Sequence, residues 1–152
     1  MNYNKLLLTT GFVCAVVFNA DAGKVDCKHG NDKLKCLEFV KNYDGDTATF
    51  NIPHLHPLLG KDLKVSLGDV KSPSIYSKNK CEKAIAKKAK FYVRKTLKEA
   101  KYIEAGNIKR DKSFGVKASV FVDGANLSDI LVKQKMAVPT KDYKKTDWCK
   151  LS

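Results

Sequence analysis

Residues 81–101 read CEKAIAKKAKFYVRKTLKEAK, a stretch without glycine or proline. Ile85, Ala89, Val93, Leu97 and Ala100 recur at spacings of four, four, four and three, which puts them on one face of an amphipathic helix. Lys83, Lys87, Lys90, Arg94 and Lys98 fall on the opposite, basic face. The segments on either side have a different rhythm, and the place of this helix among them decides the architecture.

Upstream, CLEFVKNY (36–43) alternates apolar and polar side chains, and Asp44-Gly45 followed by TATFNI (47–52) predicts a β-hairpin. IPHLHPLLGKD (52–62) is punctuated by Pro and Gly and predicts a loop, and LKVSLGDV (63–70) predicts the next strand. Downstream, KYIEAGNI (101–108) and VKASVFV (116–122) read as two more strands. DGANLSDILVKQKMAV (123–138) reads as a turn, an N-cap at Asn126 and a short helix through Met136. Three strands, a helix, two strands and a helix predict an α+β domain. The expected fold is a five-stranded OB barrel carrying two or three helices, with the long helix between strands three and four.

With 152 residues the chain has room for one domain with a modest core. Residues 1–22 read as a signal peptide. Lys5 gives a positive n-region, Leu6 to Phe18 is apolar, and Ala20-Asp21-Ala22 suits cleavage before Gly23. The apolar run is too short for a permanent membrane helix. Residues 23–152 would then be a single exported domain, periplasmic or extracellular and not transmembrane. Export changes the reading of cysteine, since an even number in an oxidising compartment points to disulfides before zinc. Cys27, Cys36, Cys81 and Cys149 remain after cleavage, and of their three pairings the favoured one is Cys27–Cys36 with Cys81–Cys149. The second bridge would close a loop of roughly 70 residues, worth about 4 kcal/mol in the chain-entropy account. The 29 basic against 16 acidic residues give a net charge of +13, unchanged by loss of Lys5 and Asp21. Such an excess suits either an anionic partner or a solvated surface.

Several short pieces occur in a telling order: DGDTATFNIP (44–53), Pro73-Ser74-Ile75, Cys81-Glu82-Lys83, NIKR (107–110), VFVDGANLSDILV (120–132) and Trp148-Cys149-Lys150. In these the chain resembles the staphylococcal-nuclease-like, or thermonuclease, domains, and more closely their exported proteobacterial branch, from about Val40 to Lys150. The resemblance implies an OB barrel and a calcium-dependent hydrolysis of DNA and RNA phosphodiesters. In active members two aspartates hold the ion, a glutamate positions water and two arginines bind the phosphate. The reaction needs that set because the negative charge of the phosphodiester must be neutralised, and a hard cation takes oxygen ligands.

Carried over residue by residue, the first calcium ligand is present as Asp46. The first arginine position falls on Ser66, the second calcium ligand on Lys71, the water-positioning glutamate on Ser74 and the second arginine on Gly115. Four of the five charged positions are therefore changed. A two-residue slip that put Asp69 in the ligand position would displace Val65 and Pro73 and restore neither glutamate nor arginine. Lys71 suggests instead an ion pair with Asp46 in place of the metal, the alternative being a lysine extended into solvent. The sequence thus predicts a degenerate nuclease that has lost its chemistry, needs no cofactor and acts by binding. Its partner would be nucleic acid, or a protein or anionic envelope surface. The second reading is an active calcium-dependent secreted nuclease with Asp46, Asp69 and Arg110 regrouped.

Lys83, Lys87, Lys90, Arg94, Arg110 and Lys112 are the candidate nucleic-acid contacts, against a solvated helix face. Tyr143 and Trp148 could stack on bases, although Trp148 beside Cys149 also reads as a cover for the disulfide. His54 and His56 would need converging partners to hold zinc or copper, and otherwise belong to a surface loop. Lys135 stands where the family usually ends its helix with glycine.

Overall fold

The computed structural model describes residues 26–110 and 115–151. The predicted signal peptide, its cleavage site and Lys112 lie outside the described residues. The architecture is α+β, a mixed sheet with four α-helices among the described residues.

The hairpin predicted at Asp44-Gly45 joins β2 (Glu38–Asn42) to β3 (Thr47–Asn51), and β3 pairs antiparallel with β4 (Leu63–Leu67). The long helix α2 (Lys80–Glu99) follows, and the chain returns through β6 (Ile103–Arg110) and β7 (Val116–Val122). β7 lies antiparallel to β6 and parallel to β4, the one parallel junction among the described strands. These five strands are the ones expected of the barrel. The two-residue strands β1 (Lys33–Leu34) and β8 (Ala125–Asn126) are added to β6 and β7. The ladder itself runs open in the order β1-β6-β7-β4-β3-β2. Across its seam the Leu37 N–H donates to the Ile103 carbonyl at 2.9 Å, joining the lead into β2 to the start of β6.

Several boundaries differ from expectation for local reasons. The predicted strand 63–70 is cut at Gly68-Asp69, and β5 (Val70–Lys71) leaves the main sheet to pair with β9 (Val138–Pro139). The alternation of β2 breaks at a bulge between Phe39 and Lys41, which exposes Lys41 and buries Asn42 to 4%. The predicted loop 52–62 contains one helical turn, α1 (Pro57–Gly60), with the His56 ring accepting from the Leu58 N–H at 3.2 Å. Another one-turn helix, α4 (Trp148–Leu151), follows a 3-10 turn at Tyr143–Lys145.

The core gathers Phe50, Val65, Val93, Val120, Leu127 and Leu131, all nearly inaccessible. It is fed by the inward faces of the strands, by Ala89, Val93 and Leu97 of α2, and by α3 (Leu127–Lys133). Both favoured cysteine pairs form, Cys27–Cys36 with Cα atoms 5.4 Å apart and Cys81–Cys149 with Cα atoms 5.2 Å apart. Two disulfides suit an oxidising compartment. No helix among the described residues is long and apolar enough to cross a membrane.

α3 stops at Lys133, three residues before the expected end, in a Schellman motif. The Met136 N–H reaches the Leu131 carbonyl at 2.9 Å and the Lys135 N–H reaches Val132 at 3.0 Å. That geometry needs a left-handed residue after the cap, and Lys135 supplies it at φ 56°. A Cβ in this region is disfavoured by roughly 1–2 kcal/mol. Lys135→Gly should therefore stabilise the protein by about 1 kcal/mol, read as a raised denaturation midpoint with unchanged slope. A lower midpoint would mean that the lysine side chain holds the motif by contacts.

Candidate functional site

Asp46 stands at the end of the β2–β3 turn and is 4% exposed. Three contacts hold it there. The Asp46 N–H donates to Asp44 Oδ1 at 3.0 Å, the Asp46 carbonyl accepts from the Leu67 N–H at 2.8 Å, and the turn is drawn onto α2. Gly45 makes that last contact: a Cβ there would come within 2.7 Å of Ala89 Cβ and 2.8 Å of Ser72 Cβ. Asn42 completes the junction, its amide donating to the carbonyls of Asp44 (2.9 Å) and Lys90 (2.8 Å) while its oxygen accepts from Arg94 Nε at 3.3 Å.

The Asp46 carboxylate is fully engaged from within the chain. Oδ1 accepts from the Thr47 hydroxyl at 3.1 Å, and Oδ2 accepts from the Ser72 N–H at 2.9 Å. The Lys71 ammonium lies 3.4 Å from the same Oδ2, so the ion pair anticipated from the sequence is present. Lys71 meets Asp46, while Asp69 accepts from the Ser119 hydroxyl at 3.2 Å. Burial, and then the Asp44 carboxylate, hold the Asp46 carboxyl above its ordinary value, against the opposing pull of the Ser72 N–H and the Lys71 ammonium.

The other positions carried over from the family pattern have structural occupations. Ser66, 9% exposed, is paired in register with Thr47 on one side and Lys117 on the other. Ser74 belongs to the approach to α2, its N–H donating to Glu82 Oε1 at 3.1 Å and its hydroxyl accepting from the Tyr76 N–H at 3.2 Å. Gly115 packs so closely on β4 that a Cβ would stand 2.9 Å from the Lys64 carbonyl oxygen. A side chain of any kind at 115 requires the backbone to move.

One space that touches Asp46 is a core void of about 10 Å³ among Phe50, Val65, Leu67 and Val93, too small to admit more than one water. A larger cleft of about 350 Å³ lies elsewhere, lined by Asp32, Gly68, Asp69, Asn107, Lys109 and Ser119 among others. Asp69 lines this cleft and Asp46 does not. Arg110 is exposed at the end of β6.

Lys83, Lys87 and Arg94 are exposed along α2 and Lys90 is half-buried. Trp148 is 5% exposed and packs at 6.3 Å from the Tyr143 ring, so it is not available for stacking. Burial, then the Glu82 and Asp46 carboxylates, push the Tyr143 phenol above its ordinary value. His54 and His56 are exposed, and no group of three metal-ligating side chains converges among the described residues. Two residues that matter here are missed by sequence reasoning. Asn42 is hidden by the bulge, and Phe91 by its place in a run scored for its lysines; a wheel plot marks Phe91 as an apolar residue on the polar face.

A parallel sheet junction between β4 and β7 and a long helix between β4 and β6 are features of an OB-like α+β domain. A family model for the staphylococcal nuclease homologues matches residues 64–150, more than half of the chain, and the protein belongs to that family. The match begins inside β4, so the Asp44–Asp46 turn precedes it. No curated protein matches the chain.

The raised pKa of Asp46 has a definite sign. Between the unfolded value of 3.8 and the higher folded one, the native state holds this proton more tightly than the unfolded chain does. The stability of the native chain relative to Asp46→Asn should therefore fall as pH rises from 3.8, and level off above the folded value. Thermal midpoints of both proteins across that range check it, and an opposite trend would mean that Lys71 and Ser72 overcompensate burial. Lys71 is 41% exposed, so solvent screens the pair. Lys71→Gln should cost about 1 kcal/mol at neutral pH, and close to nothing in the Asp46→Asn background.

Proposed function

We propose that this chain is a member of the nuclease family that does not cut through the family's calcium centre and acts by binding nucleic acid. The observation that supports the loss of cutting is the Lys71–Asp46 pair at 3.4 Å. A calcium ion takes about six to eight oxygens, several of them carboxylate. The residues around Asp46 do not suit it: one buried carboxylate already committed to Thr47, Ser72 and Lys71, and an ammonium in the position of the second ligand. The phosphate-binding arginine positions are Ser66 and Gly115, and the water-positioning glutamate position is Ser74. Removing one preorganised charge-stabilising group typically costs about two to three powers of ten in rate. With a ligand, two cations and a carboxylate changed, phosphodiester hydrolysis at this place has no support left.

Binding is favoured by charge. The net +13 and the exposed lysine row of α2 attract a polyanion whether or not it is cleaved. Family membership makes nucleic acid the polyanion of choice over a protein or an envelope lipid. We place the protein outside the cytoplasm, on the strength of the Cys27–Cys36 and Cys81–Cys149 bridges and of the leader read at residues 1–22.

The test is hydrolysis of single-stranded DNA by the disulfide-bonded protein, with calcium and with chelator, beside Asp46→Ala. The expected result is no calcium-dependent cutting in either protein. Cutting that needs calcium and disappears in Asp46→Ala would overturn the proposal in favour of a working centre at Asp46. Intact mass of the secreted chain should correspond to a start at Gly23.

A further inference from the structure

α2 carries an aromatic ring that its own amphipathic pattern leaves outside. Phe91 is 70% exposed, on a helix whose buried residues are Ile85, Ala86, Ala89, Val93 and Leu97. At about 100° per residue, Phe91 falls about 170° from the middle of that stripe, so the ring cannot return to the core. Its neighbours one turn away on the surface are Lys87 and Lys88 on one side, Arg94 and Lys95 on the other. All four are exposed, and Lys98 continues the row. The acidic residues of α2, Glu82 and Glu99, stand in its first turn and at its last position, leaving 83–98 without one. Cations spaced three and four apart repel one another along a helix, and a polyanion laid across them relieves that repulsion.

Each of these features alone has an ordinary explanation. Together they place one flat apolar face inside a ring of positive charge, which is the arrangement that holds unpaired bases by stacking and their phosphates by charge. A duplex would satisfy the lysines but would leave the ring in water, because its bases are already stacked on each other. Arg94 is also fixed in place through Nε, bonded to Asn42 at 3.3 Å, and a guanidinium has further N–H groups to offer.

We propose that the outward face of α2 is a platform for single-stranded nucleic acid, with Phe91 stacking on a base and Lys87, Lys88, Arg94 and Lys95 neutralising the flanking phosphates. This rests on the non-cutting, nucleic-acid-binding function proposed above, and it narrows the binding surface to the face of α2 turned away from the Asp46 turn.

Fluorescence anisotropy with a labelled oligothymidylate of about a dozen nucleotides, and with a duplex of equal length, tests it at several salt concentrations. The proteins are wild type, Phe91→Ala, Phe91→Trp and the double variant Lys87→Gln/Lys95→Gln, each with both disulfides intact. Phe91→Ala should weaken the single strand about tenfold, leave the salt slope unchanged and leave the duplex unaffected, while Phe91→Trp retains binding. The lysine variant should lower the slope by about 0.7 for each phosphate that is no longer neutralised. Wild type that binds the oligonucleotide while Phe91→Ala binds it equally well would overturn the platform and leave the proposed function standing. Weakening by Phe91→Ala that the duplex shares equally would overturn stacking. Wild type that binds neither nucleic acid would overturn both readings, and would leave the exposed ring to a protein partner. Melting temperatures of the variants should match wild type, since Phe91 contributes little to the core; if Phe91→Ala melts lower, the comparison with Phe91→Trp decides.

Discussion

The site depends on how closely the β2–β3 turn lies against α2. Gly45 has no room for a Cβ because Ala89 and Ser72 occupy that space, and Asn42 ties the same turn to the Lys90 carbonyl. Interiors pack too densely to absorb a larger group here without a shift. This contact fixes the depth of Asp46 below the surface, and with it the identity of its partners. The small residues Ala86 and Ala89, both at 0% exposure, let the helix come this near. The turn, the helix and the Val70–Ser72 segment therefore behave as one unit.

Within that unit a buried carboxylate is balanced by groups supplied from a single bend of chain. The Lys71 side chain and the next residue's N–H both reach Asp46 Oδ2. Burial of a carboxylate without a partner is strongly unfavourable, so a counterion of some kind is a structural necessity as much as a chemical one. A lysine meets the need with a covalently attached charge, available at any ion concentration. Part of the protein's excess positive charge lies along the solvent face of α2, where repulsion is screened and a ligand can reach it.

Much of this is legible in the sequence. The 81–101 periodicity gives α2 to within two residues at each end, Asp44-Gly45 gives the hairpin, and the Lys71–Asp46 contact is one of the two readings the sequence leaves open for Lys71. The exceptions have separate physical causes. The β2 bulge shifts Asn42 inward, and no alternation pattern encodes an extra residue in a strand. α3 ends early because Lys135 takes a left-handed conformation usually given to glycine. The separation of β5 from β4 depends on its partner β9, some seventy residues away, which no local reading reaches. Phe91 is hidden for a different reason: its meaning comes from which residues surround it on the finished helix surface, and the same helix scored by its buried stripe alone discards it.

Lys71 and Gly115 also give the chain a direction of change. Substituting aspartate for Lys71 by itself would remove the ammonium from Asp46 and set a new carboxylate near one that burial and Asp44 already hold above its ordinary value. Introducing arginine at 115 by itself would drive a side chain into the Lys64 carbonyl. Each step toward the charged set of the active family members therefore costs stability before a second step could offset it. If the centre is lost as proposed, a lineage that carries both residues loses stability at the first step back, so a return would need the two substitutions together.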